Sequence, residues 1–273
     1  MLSLSQKRRF FYLCWDLPCR VEGRWSVDFG GRCLVLPLHR DFALAWQAAT
    51  GFHGYDAELH ALYETIVHSP QWPCVFLDVG ASYGLHSLKL LAHGVRVVSF
   101  EPNRDCHPFF LEAAQVNGLR ADVRALAIGR VAGPTRLVFP AGRPYLGTTA
   151  ADTVERLRRE GDVVERVVPQ RTLDEVAEAD GLVPDLVKID TEGSELDVLE
   201  GSSRILDRAR PLIVLESWRG SEERAPIFRL LGAHGYRLHA LRFGGPPSWT
   251  LALDDFVTSA AVNFLARPAL TRF

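Results

Sequence analysis

The stretch VFLDVGASYG, from Val75 to Gly84, decides the fold. Its apolar run ends in Asp78, a glycine turn follows, and a helical pattern then begins. A second apolar run, VRVVSFE, ends about twenty residues further on in Glu101. A strand, a glycine turn, a helix, a second strand and a terminal acid are typical of an α/β unit that binds a nucleoside.

The glycines and acids of this unit indicate which nucleoside ligand it suits. Gly80 and Gly84 lack a Cβ, so the backbone can approach a ligand closely. Glu101 can accept hydrogen bonds from both hydroxyls of a ribose. The spacing G-x-x-x-G leaves the G-x-G-x-x-G cradle for a pyrophosphate incomplete, and Asp78 would repel a pyrophosphate but suit a cation. The residues therefore favour S-adenosylmethionine, a sulfonium without phosphate, over NAD, although a strand–turn–helix that binds nothing has the same pattern.

Composition limits the class of protein. The 273 residues are 47% apolar and 23% charged, which indicates a globular chain with one large α/β domain or a domain with a cap. A net charge of −2 gives no long-range attraction to nucleic acid or to an anionic membrane. Five cysteines without C-x-x-C favour neither a zinc site nor a disulfide framework, so we expect a cytoplasmic protein. No apolar run approaches the ~20 residues of a membrane span.

Strand and helix signals alternate along most of the chain. Residues 1–70 are predicted to be an N-terminal extension, with a hairpin around Gly30-Gly31 and a helix capped by Asp56. Residues 71–273 are predicted to be the main domain, an α/β fold with a mostly parallel, doubly wound, seven-stranded sheet. Its strands are expected at 75–80, 95–101, 123–129, 185–193, 211–217, 236–242 and 259–266. Residues 140–170 interrupt this rhythm and are predicted to be an insertion that serves as a lid.

Four acids fall at or near strand ends in this scheme: Asp78, Glu101, Asp190 and Glu216. Ligands of such sheets bind at the carboxyl ends of the strands. We therefore expect the four acids to converge on one crevice.

Several motifs in a fixed order resemble one family. They are DVGASYG (78–84), FEPN (100–103), AIG (127–129), TLDEV (172–176), KIDTEGSELDVLEG (188–201) and PLIVLES (211–217). Together they are similar to FkbM-type S-adenosylmethionine-dependent methyltransferases, over roughly residues 55–217. The sequence departs from the family at Ser82, where Asn is usual, and at His86, where an aromatic is common.

The resemblance implies a Rossmann-like class I methyltransferase fold. It also implies methyl transfer, typically to an oxygen of a sugar, a polyketide or a related metabolite. Carried over by position, the residues at the methionine end of the cofactor would be Asp78, Gly80, Ala81, Ser82, Tyr83 and Gly84. Glu101 would bind the ribose, Pro102 and Asn103 would flank the adenosine, and Ala127 would lie near the adenine.

Methyl transfer is an in-line displacement that requires aligned oxygen, carbon and sulfur atoms. An alcohol is a poor nucleophile at neutral pH, so a base or a metal should help to remove its proton. Asp190 and Glu192 leave the fourth strand beside the crevice, and Lys188 shares a strand face with Asp190 and could tune its pKa. We therefore predict these three as catalytic residues, although helix capping explains Glu192 equally well. Oxygen ligands such as Asp190, Glu192 and Glu216 could hold Mg²⁺, but no spacing demands it and no metal site is predicted.

Other functions fit the sequence less well. An NAD-dependent oxidoreductase lacks support because the third glycine and a Tyr-x-x-x-Lys pair are missing. A nucleic-acid methyltransferase would carry Asn-Pro-Pro-Tyr where IDTEG stands. A non-catalytic protein that binds an adenosyl ligand stays open, as does a homo-oligomer. The expected acceptor is a small molecule or a glycan. Trp46, Phe52 and Tyr55 are candidates to form its pocket, and His53 and His60 are candidates to reach it, although a packing or surface role is commoner for each of these residues.

Overall fold

The computed structural model describes residues 22–38, 54–69 and 75–269, together with Gln6, Arg9, Leu13 and Phe52. The acceptor-contact predictions for Trp46 and His53 lie outside the described residues.

The described residues form an N-terminal hairpin, a central sheet and a smaller sheet. The strands are β1 (Gly23–Phe29), β2 (Arg32–Leu38), β3 (Val75–Val79), β4 (Arg96–Phe100), β5 (Asp122–Arg124), β6 (Ala127–Ile128), β7 (Gly133–Pro140), β8 (Val163–Arg171), β9 (Leu186–Ile189), β10 (Leu212–Glu216), β11 (Tyr236–Ala240) and β12 (Asn263–Pro268).

Helices alternate with these strands. They are α1 (Ala57–Val67), α2 (Leu85–Leu91), α3 (His107–Val116), α4 (Ala151–Glu160), α5 (Leu173–Asp180), α6 (Glu195–Glu200), α7 (Ser203–Arg208), α8 (Arg224–Ala233) and α9 (Leu253–Thr258). Among the described residues, no helix is both long enough and apolar enough to cross a bilayer.

The central sheet has seven strands in the order β11-β12-β10-β9-β3-β4-β5. The strands from β10 to β5 are parallel, and β12 runs antiparallel to both β10 and β11. The mostly parallel, doubly wound sheet predicted from the sequence is therefore confirmed. Its order places β3 between β9 and β4, so the chain segments that follow these three strands meet at one edge.

Both faces of the central sheet are buried, as a doubly wound sheet requires. Because successive strand residues point to opposite faces, Leu77 packs with α5, α6 and α7 while its neighbour Phe76 packs with the hairpin, α1 and α3. The hairpin forms as predicted, and Gly30 and Gly31 turn it with φ values of 55° and 80°.

Two predicted strand features differ in the structure. The expected strand 123–129 divides, because β5 stays in the central sheet whereas β6 pairs with β8 in a separate sheet of order β6-β8-β7. The apolar alternation of VRALAIG continues through this change of partner, so the pattern alone does not reveal it. The predicted insertion, residues 140–170, contains the helix α4 and nearly all of the strand β8. This strand pairs antiparallel with β7.

The predicted helix cap also differs. Asp56 precedes α1, but its side chain makes no capping bond and instead accepts a hydrogen bond from Asn263 Nδ2 at 2.9 Å. A capping box forms at α5 instead, where Thr172 and Glu175 exchange side-chain-to-backbone hydrogen bonds of 3.1 Å.

The hairpin is fastened to α3 by one amide side chain. Asn117 Oδ1 accepts from the Val35 N–H, and Asn117 Nδ2 donates to the Val35 carbonyl, each at 2.7 Å. The side chain thus takes the place of a neighbouring strand beside β2, and its loss would leave two backbone groups without these partners.

We expect Asn117→Ala to lower the free energy of unfolding by about 1–3 kcal/mol, because an unsatisfied backbone donor and acceptor remain beside Val35. Urea denaturation measures the change. Gln115→Ala is the matched control, since Gln115 is exposed on the same helix and its loss should cost less than ~0.5 kcal/mol. Equal losses for the two variants would contradict the role given to Asn117.

Candidate functional site

A cavity of about 670 Å³ opens at the carboxyl ends of β3, β4 and β9. Its walls come from the turn 79–83, the end of β4 at Glu101 and Pro102, β6, the segment 142–149, and the residues that follow β9. Most of the residues predicted from the sequence as a site therefore surround one space: Gly80, Ala81, Ser82, Tyr83, Glu101, Pro102, Ala127, Lys188, Asp190 and Glu192.

The turn after β3 depends on a glycine for a steric reason. Gly80 has a φ of +77°, and a Cβ placed on it would lie 1.6 Å from the carbonyl oxygen of Asp190. The Gly80 and Ala81 N–H groups both donate to the Phe100 carbonyl, at 3.0 and 3.1 Å. The backbone after β3 is thus held between β4 and the residue that follows β9.

Ser82 is the family departure within this turn, and it adopts a left-handed φ of 49°. Asn enters this region more readily than most side chains, which explains why the family usually carries it. The Ser82 N–H donates to Glu101 Oε2 at 2.8 Å, a contact that needs no particular side chain.

Glu101 is held in place by two backbone donors. Besides Ser82, the Asn103 N–H donates to Glu101 Oε1 at 2.7 Å. Burial raises the pKa of Glu101 to about 7, and the two backbone hydrogen bonds oppose that rise. Each carboxylate oxygen can accept further hydrogen bonds, so the group can accept from a diol in the cavity.

A buried charge cluster forms the floor at the β9 end. Lys188 Nζ lies 2.9 Å from Asp190 Oδ2 and 3.9 Å from Asp78 Oδ1. Burial alone would lower the pKa of Lys188, but the two carboxylates outweigh burial and hold it above its usual value. Lys188 is therefore a fixed cation.

The cluster changes the role expected for Asp78. Its carboxylate is fully buried, accepts from Ser87 Oγ at 2.6 Å and does not line the cavity. The predicted contact with the methionine end of a ligand is therefore replaced by an indirect one, in which Asp78 acts on the cavity through Lys188. Gly84 also lies outside the wall, because its Cα faces the ring of Phe110.

Three carboxylates gather beside this cluster. Oxygen atoms of Asp190, Glu192 and Glu216 lie within 4.8 Å of one another. Burial, followed by the charge of Asp190, raises the pKa of both Glu192 and Glu216. Such a group holds a shared proton or, with its oxygen ligands, a hard divalent cation. Glu216 belongs to the group but lines a neighbouring cavity. Of the four acids expected in one crevice, Glu101 and Asp190 line the first cavity, Glu216 lines the second, and Asp78 lines neither.

Asn103 was expected beside the adenosine, but the structure places it behind the wall. It is fully buried, and its Nδ2 donates to the Pro144 carbonyl at 2.9 Å. Pro144–Leu146 is a short 3-10 turn of the segment 142–149, and Thr148 Oγ1 ties the same segment to the Glu192 carbonyl at 2.9 Å. Asn103 thus joins the end of β4 to the segment that covers the cavity.

The cavity is also lined by residues that were not predicted as site residues: His86, Arg143, Tyr145 and Trp218. His86 Nε2 lies 3.5 Å from Asp56 Oδ2, which brings the start of α1 to the site. Burial and then the charges of Lys188 and Lys89 lower the pKa of His86 well below its usual value, so its ring is neutral. A histidine at a position where the family commonly has an aromatic residue was the sequence feature that could have identified His86 as part of the site.

Comparisons with known proteins agree with this geometry. A family model described as the methyltransferase FkbM domain matches residues 78–238, which is more than half of the chain. No curated protein matches the sequence.

Several solved structures are similar to this chain at low sequence identity. The methyltransferase FkbM of Methylobacillus flagellatus is 16% identical with a TM-score of 0.47, and the alignment covers 82% of this chain and 54% of that one. A SAM-dependent methyltransferase of Agrobacterium tumefaciens is 14% identical with a TM-score of 0.43, over 91% and 71% of the two chains. The 16S rRNA N2 G1207 methyltransferase of T. thermophilus, solved with AdoMet and guanosine, is 13% identical with a TM-score of 0.44, over 90% and 50%.

The hydrogen bond from Asn103 to the Pro144 carbonyl can be tested without a ligand. Asn103→Asp keeps the size and the Oδ1 acceptor but replaces the donor to Pro144 with an oxygen that the carbonyl repels. We expect faster amide hydrogen exchange in residues 143–148, at least about fivefold for a lost bond of roughly 1 kcal/mol.

Arg104→Gln is the control for this variant, because Arg104 follows Asn103 directly in the chain and is exposed. Exchange in 143–148 should stay unchanged there. Unchanged protection in Asn103→Asp, measured by mass spectrometry, would remove the role assigned to the Asn103 amide.

Proposed function

This chain belongs to the FkbM family of methyltransferases, and on that basis we propose that it transfers the methyl group of S-adenosylmethionine to a hydroxyl oxygen of a small metabolite or glycan. One observation carries the proposal: a single cavity has a fixed carboxylate, Glu101, at the β4 end and a lysine-bound carboxylate, Asp190, at the β9 end.

The two ends suit the two halves of the cosubstrate. Glu101 accepts hydrogen bonds from the ribose hydroxyls, and the apolar residues Leu126, Ala127 and Ile128 form the wall for the adenine. The methionine half carries a sulfonium and an ammonium. Asp190 and Glu192 supply the negative field that favours these cations near the turn 80–83.

Asp190 and Glu192, the two carboxylates beside β9, have different roles in the proposed reaction. Asp190 has one oxygen engaged by Lys188, which fixes its orientation and leaves it suited to accept a hydrogen bond from the acceptor hydroxyl. Glu192 takes the proton, because burial and the neighbouring acids move its pKa toward neutral pH, where a general base is effective.

In the transfer step the acceptor oxygen forms a bond to the methyl carbon while the carbon–sulfur bond breaks. The electron pair of that bond goes to sulfur, which yields neutral S-adenosylhomocysteine. The hydroxyl proton passes to Glu192. Lys188 stays protonated throughout and keeps Asp190 aligned.

Calorimetry and turnover with the intact chain test the proposal. We expect S-adenosylmethionine and S-adenosylhomocysteine to bind and Glu101→Ala to weaken both by about ten- to a hundredfold, as the loss of charge-assisted hydrogen bonds predicts. Asp190→Asn should keep binding but lose most of the turnover. Absence of binding by either nucleoside would overturn the proposal, whereas binding without transfer to any acceptor would favour a non-catalytic adenosyl-binding protein.

The pKa of Glu101 predicts how binding depends on pH. The ionised carboxylate accepts from both ribose hydroxyls, and protonation removes an acceptor. With a pKa of about 7, affinity for S-adenosylhomocysteine should therefore rise as pH increases, on the order of tenfold between pH 6 and pH 8.

Glu101→Gln should bind more weakly and lose most of this increase, since its amide does not titrate. Calorimetric titrations at several pH values give both curves. An equally steep rise in Glu101→Gln would assign the pH dependence to another group, such as Glu192.

A further inference from the structure

A second cavity of about 300 Å³ lies beside the first and shares Tyr55 and Trp218 with it. Its other walls come from the start of α1 at Asp56–Glu58, the end of β10 at Glu216, and the residues before and at the start of β12. Ligands in the two cavities would therefore both border on the side chains of Tyr55 and Trp218.

The acid group stands at the boundary between the cavities. Asp190 and Glu192 line the first, Glu216 lines the second, and their oxygen atoms lie within 4.8 Å of one another. A hydroxyl that extends from the second cavity toward the first would meet these carboxylates before it reached a methyl group.

The walls of the second cavity are fixed by contacts between distant parts of the chain. Asn263 Nδ2 donates to Asp56 Oδ1 at 2.9 Å and to Glu58 Oε1 at 3.0 Å. Arg224 is fully buried and donates to the carbonyls of Ser259 and Ala261, at 2.7 and 2.8 Å. These bonds order both sides of the cavity without a ligand, which lowers the cost of binding one.

Charge and shape define what fits this cavity. Three carboxylates line it, those of Asp56, Glu58 and Glu216, and no lysine or arginine occurs among the described residues of its wall. Burial raises the pKa of Asp56 and of Glu216, so the repulsion of a phosphate or carboxylate group rests mainly on Glu58. Such a group would also find no cationic partner among these wall residues, whereas hydroxyl and ammonium donors would find acceptors.

Trp218 supplies a flat wall between the cavities. Its side chain is 57% exposed, and its Nε1 donates to Glu216 Oε2 at 3.0 Å, which fixes the orientation of the indole. A large exposed aromatic of fixed orientation at a cavity is suited to contact the C–H face of a ring.

We propose that the second cavity is the acceptor subsite and that it takes a hydroxylated ring without negative charge, stacked on Trp218 with one hydroxyl directed at the acid group. This inference rests on the proposed function, which places the methyl donor in the first cavity. It assigns acceptor selection to Asp56, Glu58 and Trp218 rather than to the residues that hold the cosubstrate.

Saturation-transfer NMR on the protein loaded with S-adenosylhomocysteine tests the proposal. The probes are methyl glucoside, the methyl glycoside of glucosamine, and glucuronate, which share a ring and differ in charge. We expect saturable binding of the neutral and cationic rings and at least about tenfold weaker binding of glucuronate, the effect of one uncompensated like-charge contact.

Three variants sharpen the test. Trp218→Ala should lose ring binding, while Trp249→Ala should retain it, because Trp249 is 92% exposed and lines neither cavity. Glu58→Gln should improve glucuronate binding, because it removes one negative charge of the wall and keeps the Oε1 atom that accepts from Asn263.

Each outcome decides the inference. Glucuronate binding as tight as that of the neutral ring, retained binding in Trp218→Ala, or no ring binding to the loaded protein would overturn it. Failure of S-adenosylhomocysteine to bind the wild-type chain would instead overturn the proposed function.

Discussion

A buried lysine between two carboxylates is the interaction on which the site depends. Lys188 on β9 stands directly opposite Asp78 on β3 in the parallel register, and Asp190 follows two residues later on the same strand face. Burying three charges is costly unless each has partners, and removal of one leaves the others uncompensated. The cation therefore sets where both acids lie. It also explains why Asp78 can be fully buried: this carboxylate neutralises and orients Lys188, which in turn presents Asp190 to the cavity.

A steric constraint acts beside this electrostatic one. The carbonyl of Asp190 lies so close to Gly80 that no other residue fits there, and the Asp190 N–H donates to the Val79 carbonyl at 3.0 Å. The same two chain segments are thus joined by a charge pair, a backbone hydrogen bond and a close contact. Glu101, which follows β4, is joined to the same segments because it accepts a hydrogen bond from the Ser82 N–H. Ser82 belongs to the turn that Gly80 begins. The Glu101 and Asp190 ends of the cavity are consequently joined through the same turn, which suits the proposed reaction because methyl transfer depends on alignment.

The sequence predicted the parts of this unit that depend on local pattern. The strand ends, the glycine turn and the acids Glu101, Asp190 and Glu192 follow from periodicity and position, because parallel strands bring their carboxyl ends to one edge. The features that were missed depend on contacts between distant residues. Asp56 binds Asn263, 207 positions away, instead of capping α1, and Asn103 binds Pro144 instead of facing the cavity. The division of the strand 123–129 has the same origin, since the competing partner of β6 is β8, about forty residues later. The β-propensity of a segment does not indicate which of two possible strands it will pair with.

The placement of charge connects the proposed chemistry to the fold. Before transfer, a sulfonium cation and the carboxylate of Glu192 share the cavity; afterwards, a neutral thioether and a protonated Glu192 do. The summed charge of this pair does not change, so the buried cluster around Lys188 does not have to reorganise during the step, and a preorganised environment of this kind is where electrostatic catalysis is strongest. The raised pKa of Glu192 fits this arrangement, because burial and the neighbouring acids bring it close to neutral pH, where a carboxylate is an effective base toward a hydroxyl. The acids that make the site attractive to a cationic donor are thus also the ones prepared to take the proton of the acceptor.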